Sequence, residues 1–245
     1  MFRRSILAMF TVLAIVLGGV VVSTPAGAVV DTAVIVPSPN VGTNGNELYS
    51  VSCVSVSFCV ATGLYGVGST AQTLVEHWNG ASWAVVSSPN VGTSFNILQS
   101  VSCVSVSFCV ATGVHGEGSP FQTLVEHWNG ASWTVVPSPN VGVIASLLLS
   151  VSCVSASECV AVGYTYIGSG YATLAMVWNG SVWSIVTSPN AGTNSDVLRS
   201  VSCVSASECV AVGSTNTGNA NQTLVVSLTG PELAPSDQVS PAFTG

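Results

Sequence analysis

Residues 50–63 read SVSCVSVSFCVATG and residues 73–90 read TLVEHWNGASWAVVSSPN, and both segments return along the chain at a shift of 50. Val-Ser-Cys-Val-Ser recurs at 51–55, 101–105, 151–155 and 201–205. Ser-Pro-Asn recurs at 38–40, 88–90, 138–140 and 188–190. Self-similarity at a period of this length is typical of repeat architectures. The chain therefore contains four copies of one structural unit.

Each repeat predicts four short strands, which we name A to D. In the first repeat they cover Leu48–Cys53, Cys59–Thr62, Thr73–Trp78 and Trp83–Ser87. These runs are rich in Val, Thr and Trp and are bounded by Gly, Pro, Asn or Ser. The dipeptide Asn79-Gly80 predicts a two-residue hairpin turn between C and D, which would place both tryptophans on one sheet face. Pro89 cannot donate a ladder hydrogen bond, so it ends strand D.

The strand count predicts an all-β repeat β-propeller, because a four-stranded unit of this length fits a propeller blade better than a β-helix coil or half an immunoglobulin sandwich. Residues 32–38 read as an extra D strand, whereas the last repeat offers only A, B and C and ends near Thr229. We therefore predict four blades of four antiparallel strands over residues 29–230, with the N-terminal strand closing the last blade.

This closure requires residues 34–36 to pair with residues 224–226. Residues 231–245 contain three prolines and are expected to form a C-terminal tail. Two alternatives stay open: an open array that completes a larger ring by dimerising, and a truncated relative of a longer protein. The protein is accordingly expected to be a monomer or a homodimer.

The repeat also resembles a known group of proteins. The string Ser-Val-Ser-Cys-x5-Cys-Val-Ala-Val-Gly, then Thr-Leu, then Trp-Asn-Gly-x-x-Trp-x-Val-Val-x-Ser-Pro-Asn, is similar to the repeats of secreted bacterial β-propeller-like proteins and spans about residues 32–230. It is more distantly similar to kelch and Asp-box propellers. The resemblance implies a propeller fold but no single activity, since such rings host lectins, adhesins and hydrolases. Asp-box spacing and the kelch double glycine are absent, so neither family's activity carries over.

The first 28 residues have the pattern of a secretory signal peptide. A basic start with two arginines precedes an apolar run at 6–22, and Ala26-Gly27-Ala28 forms a small-residue exit site. Cleavage after Ala28 and secretion are predicted, with a retained membrane anchor as the alternative.

Charge excludes two classes of partner. The chain has a net charge of −7, and Arg199 is the only Lys or Arg beyond residue 28. A protein with a single cation cannot neutralise several phosphates, so nucleic acid is not expected as a partner. Anionic membrane surfaces are disfavoured for the same reason.

The eight cysteines fall into four Cys-x5-Cys pairs, and eight cysteines allow 105 disulfide pairings. Repeat symmetry and an exported chain favour a local bridge within each pair. The alternative, metal binding, usually needs closer spacing, and no histidine accompanies these cysteines in every unit. We expect no metal ion or cofactor. The predicted bridges are Cys53–Cys59, Cys103–Cys109, Cys153–Cys159 and Cys203–Cys209.

The loops of the predicted blades divide into a constant and a variable rim. The A–B and C–D loops hardly change between repeats, whereas the B–C and D–A loops differ in every one. Binding residues concentrate on loops held by a rigid frame, so a ligand is expected at the variable rim. Drift in unconstrained loops is the alternative. The candidate ligand-binding residues are Tyr65, His115, Phe121, Tyr164, Tyr166 and Tyr171.

These features favour a secreted structural or adhesive protein that binds an extracellular protein partner. The alternative is a glycan-binding module, because aromatic rings beside hydroxyls and amides suit stacked sugars. A glycoside hydrolase would need two nearby carboxylates, but Glu47, Glu117 and Asp196 lie in different units.

Glu76-His77 and Glu126-His127 resemble acid–base or metal pairs. Neighbours along a strand point to opposite faces, however, so packing or surface roles are expected for them. No catalytic residue is assigned, and the protein is not expected to be an enzyme.

Overall fold

The computed structural model describes residues 33–142, 144–192, 194–218 and 220–229. The predicted signal peptide at residues 1–28 and the predicted tail at residues 231–245 lie outside this range. The described residues form fifteen β-strands and no helix, so the expected all-β class is confirmed. The same residues hold no helix long and apolar enough to cross a bilayer.

The strands repeat in the predicted order. Unit 1 contains β1 (Asn46–Ser55), β2 (Phe58–Val67), β3 (Thr70–Trp78) and β4 (Trp83–Val85). Unit 2 contains β5 (Phe95–Ser105), β6 (Phe108–Gly116), β7 (Gln122–Trp128) and β8 (Trp133–Val135). Unit 3 contains β9 (Ala145–Ser155), β10 (Glu158–Tyr166), β11 (Tyr171–Trp178) and β12 (Trp183–Val186). Unit 4 contains β13 (Ser195–Ser205), β14 (Glu208–Asn216) and β15 (Asn221–Thr229). Within each unit, strands that follow one another in sequence pair antiparallel.

The units belong to two sheets, one formed by units 1 and 2 and the other by units 3 and 4. Single parallel bridges join successive units inside a sheet, at Ala71–Phe95 and Tyr171–Ser195. An isolated parallel bridge, Phe121–Ala145, connects β9 to the segment preceding β7. These three bridges occupy equivalent repeat positions, so each unit follows the previous one in the same way.

The A, B and C strands are longer than predicted. The residues assigned to the B–C loop of unit 1, 64–67, form the end of β2, where Tyr65 pairs with Asn46 and Gln72. Tyr164 and Tyr166 likewise lie within β10. Sequence variation suggested loops here, but a backbone ladder tolerates many side chains, so the hairpins extend to the variable rim.

The turn between C and D is also longer than the predicted two residues. Trp78 pairs directly with Trp83, which leaves the four residues 79–82 in the turn. The Asn79 side-chain oxygen accepts hydrogen bonds from the amides of Ala81 and Ser82, and Gly80 has a φ of 96°. The expected contact between the two tryptophans is present, with ring centroids 5.7 Å apart.

A bulge in strand A explains the glycine that ends the segment Val-Ala-Thr-Gly in units 1 and 2 and Val-Ala-Val-Gly in units 3 and 4. In unit 2 the register shifts between Leu98 and Ser100, opposite Gly113. A Cβ atom on Gly113 would overlap the carbonyl oxygen of Ile97. The position therefore requires glycine because backbone fills the space of a side chain.

The four predicted disulfides are present, and each joins two cysteines that lie directly opposite each other on strands A and B. A bridge that closes so short a loop contributes about 2–3 kcal/mol in the chain-entropy description. Four such bridges are consistent with a protein that folds in an oxidising, extracytoplasmic compartment.

Apolar side chains pack each unit against the next. Between units 1 and 2, Val60 and Val75 contact Leu98 and Val101, and all four are at most 5% exposed. The same positions form the other two junctions, between units 2 and 3 and between units 3 and 4. The core is thus divided into equivalent layers, one at each junction.

At these junctions, serine side chains of one A strand accept hydrogen bonds from backbone amides of the next A strand. The amide of Val101 donates to Ser50 Oγ at 3.1 Å, and the amide of Cys103 donates to Ser52 Oγ at 3.0 Å. The same two hydrogen bonds recur at the following two junctions. The repeated Ser-Val-Ser-Cys therefore supplies acceptors where no backbone ladder joins the units.

The Ser-Pro-Asn segment binds strand C of its own unit and also reaches the next unit. Asn90 Oδ1 accepts the amide hydrogen of Thr73 at 2.9 Å, and Ser88 Oγ donates to Glu126 of unit 2 at 2.8 Å. In the first copy of the motif, Ser38 donates to Glu76 of unit 1 at 2.7 Å. Ser38 and Ser88 thus bond forward along the chain, whereas Ser138 bonds Thr123 of its own unit.

The predicted closure of the last unit by an N-terminal strand is wrong. Residues 33–38 form no strand, Val34 and Ile35 are 78% and 98% exposed, and β15 pairs only with β14 among the described residues. The first Ser-Pro-Asn contacts unit 1 through Ser38, so it does not complete unit 4. The two sheets remain open.

We predict that Gly113→Ala lowers the free energy of unfolding by about 1–3 kcal/mol, because a methyl group forced into filled space moves the backbone. Gly45→Ala is the matched control, since nothing lies within 4 Å of its added Cβ, and its effect should stay within about 0.5 kcal/mol. Urea unfolding of both variants with disulfides intact gives the comparison. Equal stability of the two variants would contradict the assigned role of Gly113.

Candidate functional site

The described residues contain an aromatic cleft of about 530 Å³ between units 2 and 3. It lies at the variable rim, where strands A and C begin and strand B ends. Its lining is formed by Phe95, Val114, Phe121, Ile144, Ala145, Leu147, Tyr164, Tyr166 and Tyr171. We call this set the aromatic cleft. All nine residues are apolar or tyrosine.

The rings of the aromatic cleft hold one another in place. Phe95 and Phe121 pack edge to face with centroids 5.9 Å apart. Tyr171 contacts both Tyr164, at 4.8 Å, and Tyr166, at 5.5 Å. Such offset and T-shaped pairs are the favoured arrangements of aromatic side chains. The wall of the cleft is therefore ordered before any ligand arrives.

Strand geometry explains why these tyrosines meet. Tyr164 and Tyr166 are two residues apart on β10, so they project from the same face. Tyr171 begins β11 and lies directly opposite Tyr166 in the register. Thr165 between them points the other way and donates to the carbonyl of Val141 at 2.6 Å.

The structure brings together four of the six predicted candidates and separates the other two. Phe121, Tyr164, Tyr166 and Tyr171 line the cleft. Tyr65 belongs to unit 1, and His115 pairs with Asn96 and Gln122 without lining the cleft.

Sequence reasoning missed Phe95, which is 37% exposed at the start of β5. It is the only aromatic residue at its repeat position, where the other units have Gly45, Ala145 and Ser195. That difference was a detectable signal, but it falls in the D–A segment. The aromatic candidates were drawn from the B–C segments instead.

The polar groups of the cleft are the hydroxyls of its three tyrosines. Burial, followed by the neighbouring Tyr171, raises the pKa of Tyr164, and Arg199 lowers it. The Tyr166 hydroxyl donates to the carbonyl of Gly168 at 2.8 Å. Tyr171 is 41% exposed, so its ring is the most accessible of the three tyrosines.

The three acids considered as hydrolase residues each accept hydrogen bonds from other residues of the protein. Glu117 accepts hydrogen bonds from the amides of Thr93 and Ser94, and the bond from Thr93 is the main reason that the pKa of Glu117 is lowered. Asp196 accepts the amide hydrogen of Gly192 at 3.1 Å. Glu47 accepts the Tyr49 hydroxyl at 2.7 Å. Each acid thus has a local structural partner.

The two side chains of the Glu126-His127 dipeptide point into different junctions, as the alternation of side chains along a strand predicts. Glu126 is fully buried toward unit 1, where Ser88 donates to one oxygen, and Oε1 has no partner among the described residues. Burial raises its pKa to about 8, although the Ser88 hydrogen bond lowers it. Because Glu126 has no exposed surface, it cannot contact a dissolved substrate.

The histidines occupy the opposite face and contact tryptophans of the following unit. His127 lies edge to face with Trp178 at 4.6 Å, and its Nε2 accepts from Trp183 Nε1 at 3.4 Å. His77 makes the same contacts with unit 2. Burial lowers the pKa of His127 to about 4. These side chains are therefore neutral parts of the core.

The described residues contain no group of three or more His, Cys, Asp or Glu side chains arranged to hold a metal ion. No family model matches the sequence. A search of curated proteins likewise returns no match.

Among solved structures, the chain is similar to one titled "YCF48 bound to D1 peptide", with a TM-score of 0.39 and 13% sequence identity. The match covers 71% of this chain and 51% of that chain, so this chain corresponds to about half the length of that structure. The similarity is too slight to support an argument about fold or function.

We predict that the protein loses stability between pH 6.5 and 8, and that Glu126→Gln reduces this loss. In this window folded Glu126 keeps a proton that the unfolded chain has released, so the free energy of unfolding falls as pH rises. One such group gives a slope of at most about 1.4 kcal/mol per pH unit. Glu76, whose pKa burial also raises, adds in the same direction.

The half-buried His77 and His127 act oppositely, since a lowered pKa makes stability rise with pH, but only below their ordinary pKa of 6.5. Urea unfolding across a pH series measures the slope. Glu158→Gln, which changes an exposed carboxylate, is the control and should leave it unchanged. A flat wild-type profile across this window would refute the prediction.

Proposed function

We propose that this protein is an exported, non-catalytic binding scaffold that holds an extracellular protein partner in the aromatic cleft. One observation carries the proposal: residues from two units converge on a cleft of about 530 Å³ whose lining is entirely apolar or tyrosine. Ligand sites are usually concave, mostly apolar and already formed before binding. The cleft has these properties.

The chemistry of the lining favours an apolar segment of a protein. Aromatic anchors in well-packed pockets dominate the energetics of protein interfaces, and tyrosine is enriched there. Tyr171 and Phe95 are each about two-fifths exposed and can bury ring surface against a partner. Charged groups are absent from the lining, so a partner would gain affinity by burying apolar side chains and not by ion pairing.

Two further features support this class of function. The local disulfides suit a chain that is exported before it folds. The acids that resembled catalytic groups are either buried at a junction, as Glu126 is, or bonded to the backbone of a neighbouring loop, as Glu117 is to Thr93 and Ser94. A scaffold needs no reactive group, and a rigid, disulfide-linked frame holds its contact residues in place.

We predict that random peptides selected on the immobilised protein are rich in apolar and aromatic residues and bind at the aromatic cleft. Selection from a phage-displayed peptide library supplies the probes, and fluorescence anisotropy measures their affinity. Tyr171→Ala should weaken binding at least about tenfold, which corresponds to about 1.4 kcal/mol, because it removes the most exposed tyrosine ring of the cleft.

Tyr65→Ala is the matched control, because Tyr65 is a tyrosine at the same rim, in strand β2 of unit 1, but lies outside the aromatic cleft. It should leave peptide affinity unchanged. Equal losses in the two variants, or no enrichment of any peptide, would refute the proposed site. Binding to a glycan array that is lost in Tyr171→Ala, with no peptide enriched, would replace the protein partner by a sugar.

A further inference from the structure

The first face of unit 1 is exposed although the same face of every other unit is covered. Leu98, Leu148 and Leu198 are fully buried, whereas Leu48 at the equivalent position is 42% exposed. Val51 is 60% exposed, and its equivalents are 5–6% exposed. The residues that dock onto a preceding unit elsewhere are thus present in unit 1 and unpaired.

The last face of unit 4 shows the complementary exposure. Val210 is 49% exposed and Val225 is 67% exposed. Their equivalents in unit 1, Val60 and Val75, are fully buried beneath unit 2. Val212 adds a further exposed valine to this face, at 43%. Unit 4 therefore presents the apolar surface that units 1 to 3 cover with the next unit.

Hydrogen-bonding groups are unpaired at the same two faces. Ser200 and Ser202, equivalent to the serines that accept amide hydrogens at each internal junction, are exposed and have no such donor among the described residues. Among the described residues, no serine accepts a hydrogen bond from the amides of Val51 and Cys53, as serines do from their equivalents. Within this part of the chain that the structure describes, the serine acceptors of unit 4 therefore lack amide donors, and the amide donors of unit 1 lack serine acceptors.

We propose that unit 1 of one copy of this chain docks onto unit 4 of a second copy and repeats the internal junction. A second copy presents the set that covers this face three times within the chain: an exposed leucine and valine together with two correctly spaced amide donors. Val51 would lie over Val210 and Val225, as Val101 lies over Val60 and Val75.

The contact is heterologous, since two different faces meet. Two copies can therefore satisfy both pairs of faces at once, or a longer head-to-tail series can form. The junction differs from the first two internal ones at several positions, and Glu208 stands where units 1 and 2 have a phenylalanine packed against the cluster. Ser227 stands where units 1 and 2 have a histidine against the tryptophans of the next unit. The contact between copies consequently lacks that edge-to-face packing and is expected to be the more readily reversible one.

Analytical ultracentrifugation of the full chain, exported so that its disulfides form, tests the proposal. At about 100 µM, which detects any contact with a Kd below that value, we expect wild-type protein to sediment as a dimer or larger species. Val51→Glu and Val210→Glu should each sediment as monomers. Mixing the two monomeric variants should produce a two-chain complex, because each contributes one intact face to a wild-type junction.

Val182→Glu is the control for added charge, since Val182 is 52% exposed in the C–D turn of unit 3, where units 1 and 2 have serine. It should assemble like the wild type. Both face variants change exposed side chains, and unchanged circular dichroism confirms that they fold. A monomeric wild type, or variants that fail to associate when mixed, would overturn the proposal. Loss of assembly in only one face variant would indicate a symmetric contact and overturn it as well.

Discussion

The packing of one unit's A strand against the next is the interaction on which the rest of the structure depends. Each junction combines a buried leucine and valine with two amide hydrogens that bond serine oxygens, as Ser50 and Ser52 do toward unit 2. A single four-stranded unit has no other way to bury its two faces, because a lone sheet leaves both in water. The junctions therefore provide the core, and the disulfides stabilise each unit within it. The aromatic cleft also exists only because two units are held side by side.

Side chains that look functional in the sequence are explained by these junctions. His127 is adjacent to Glu126 along the chain, yet the two point into different junctions and contact different units. The tryptophans of the C–D hairpin meet the histidine of the preceding unit, and Leu228 of unit 4 packs in the cluster that contains Val177 of unit 3. Where one unit has a histidine, as at His127, the next unit has tryptophans, and where unit 3 has Val177, unit 4 has Leu228. The unusual residues reflect complementarity between neighbours.

The repeat pattern was sufficient to predict the strand order and the disulfides, because both are local within one unit. It was not sufficient for the ends of the chain. Ser38 resembles the end of a strand that could complete unit 4, but its hydroxyl bonds Glu76, a long-range contact that no pattern within one repeat reveals. Four of the six candidate residues that the sequence suggested line the cleft, which lies at the variable rim. Tyr65 and His115 were included because a linear sequence does not show which strand ends adjoin, and Phe95 was missed for the same reason.

The matching of histidine with tryptophan across a junction has a consequence for how such a chain can grow. A duplicate of unit 2 inserted after unit 2 would place His127 against another copy of Trp128 and Trp133, so every junction would keep matched partners. A duplicate of unit 3 would instead set Val177 against tryptophans, a pairing that the described residues do not contain. Duplication of unit 2 would therefore keep the side chains at its junctions matched, whereas duplication of unit 3 would not. The side chains at each junction therefore determine which unit packs well after which.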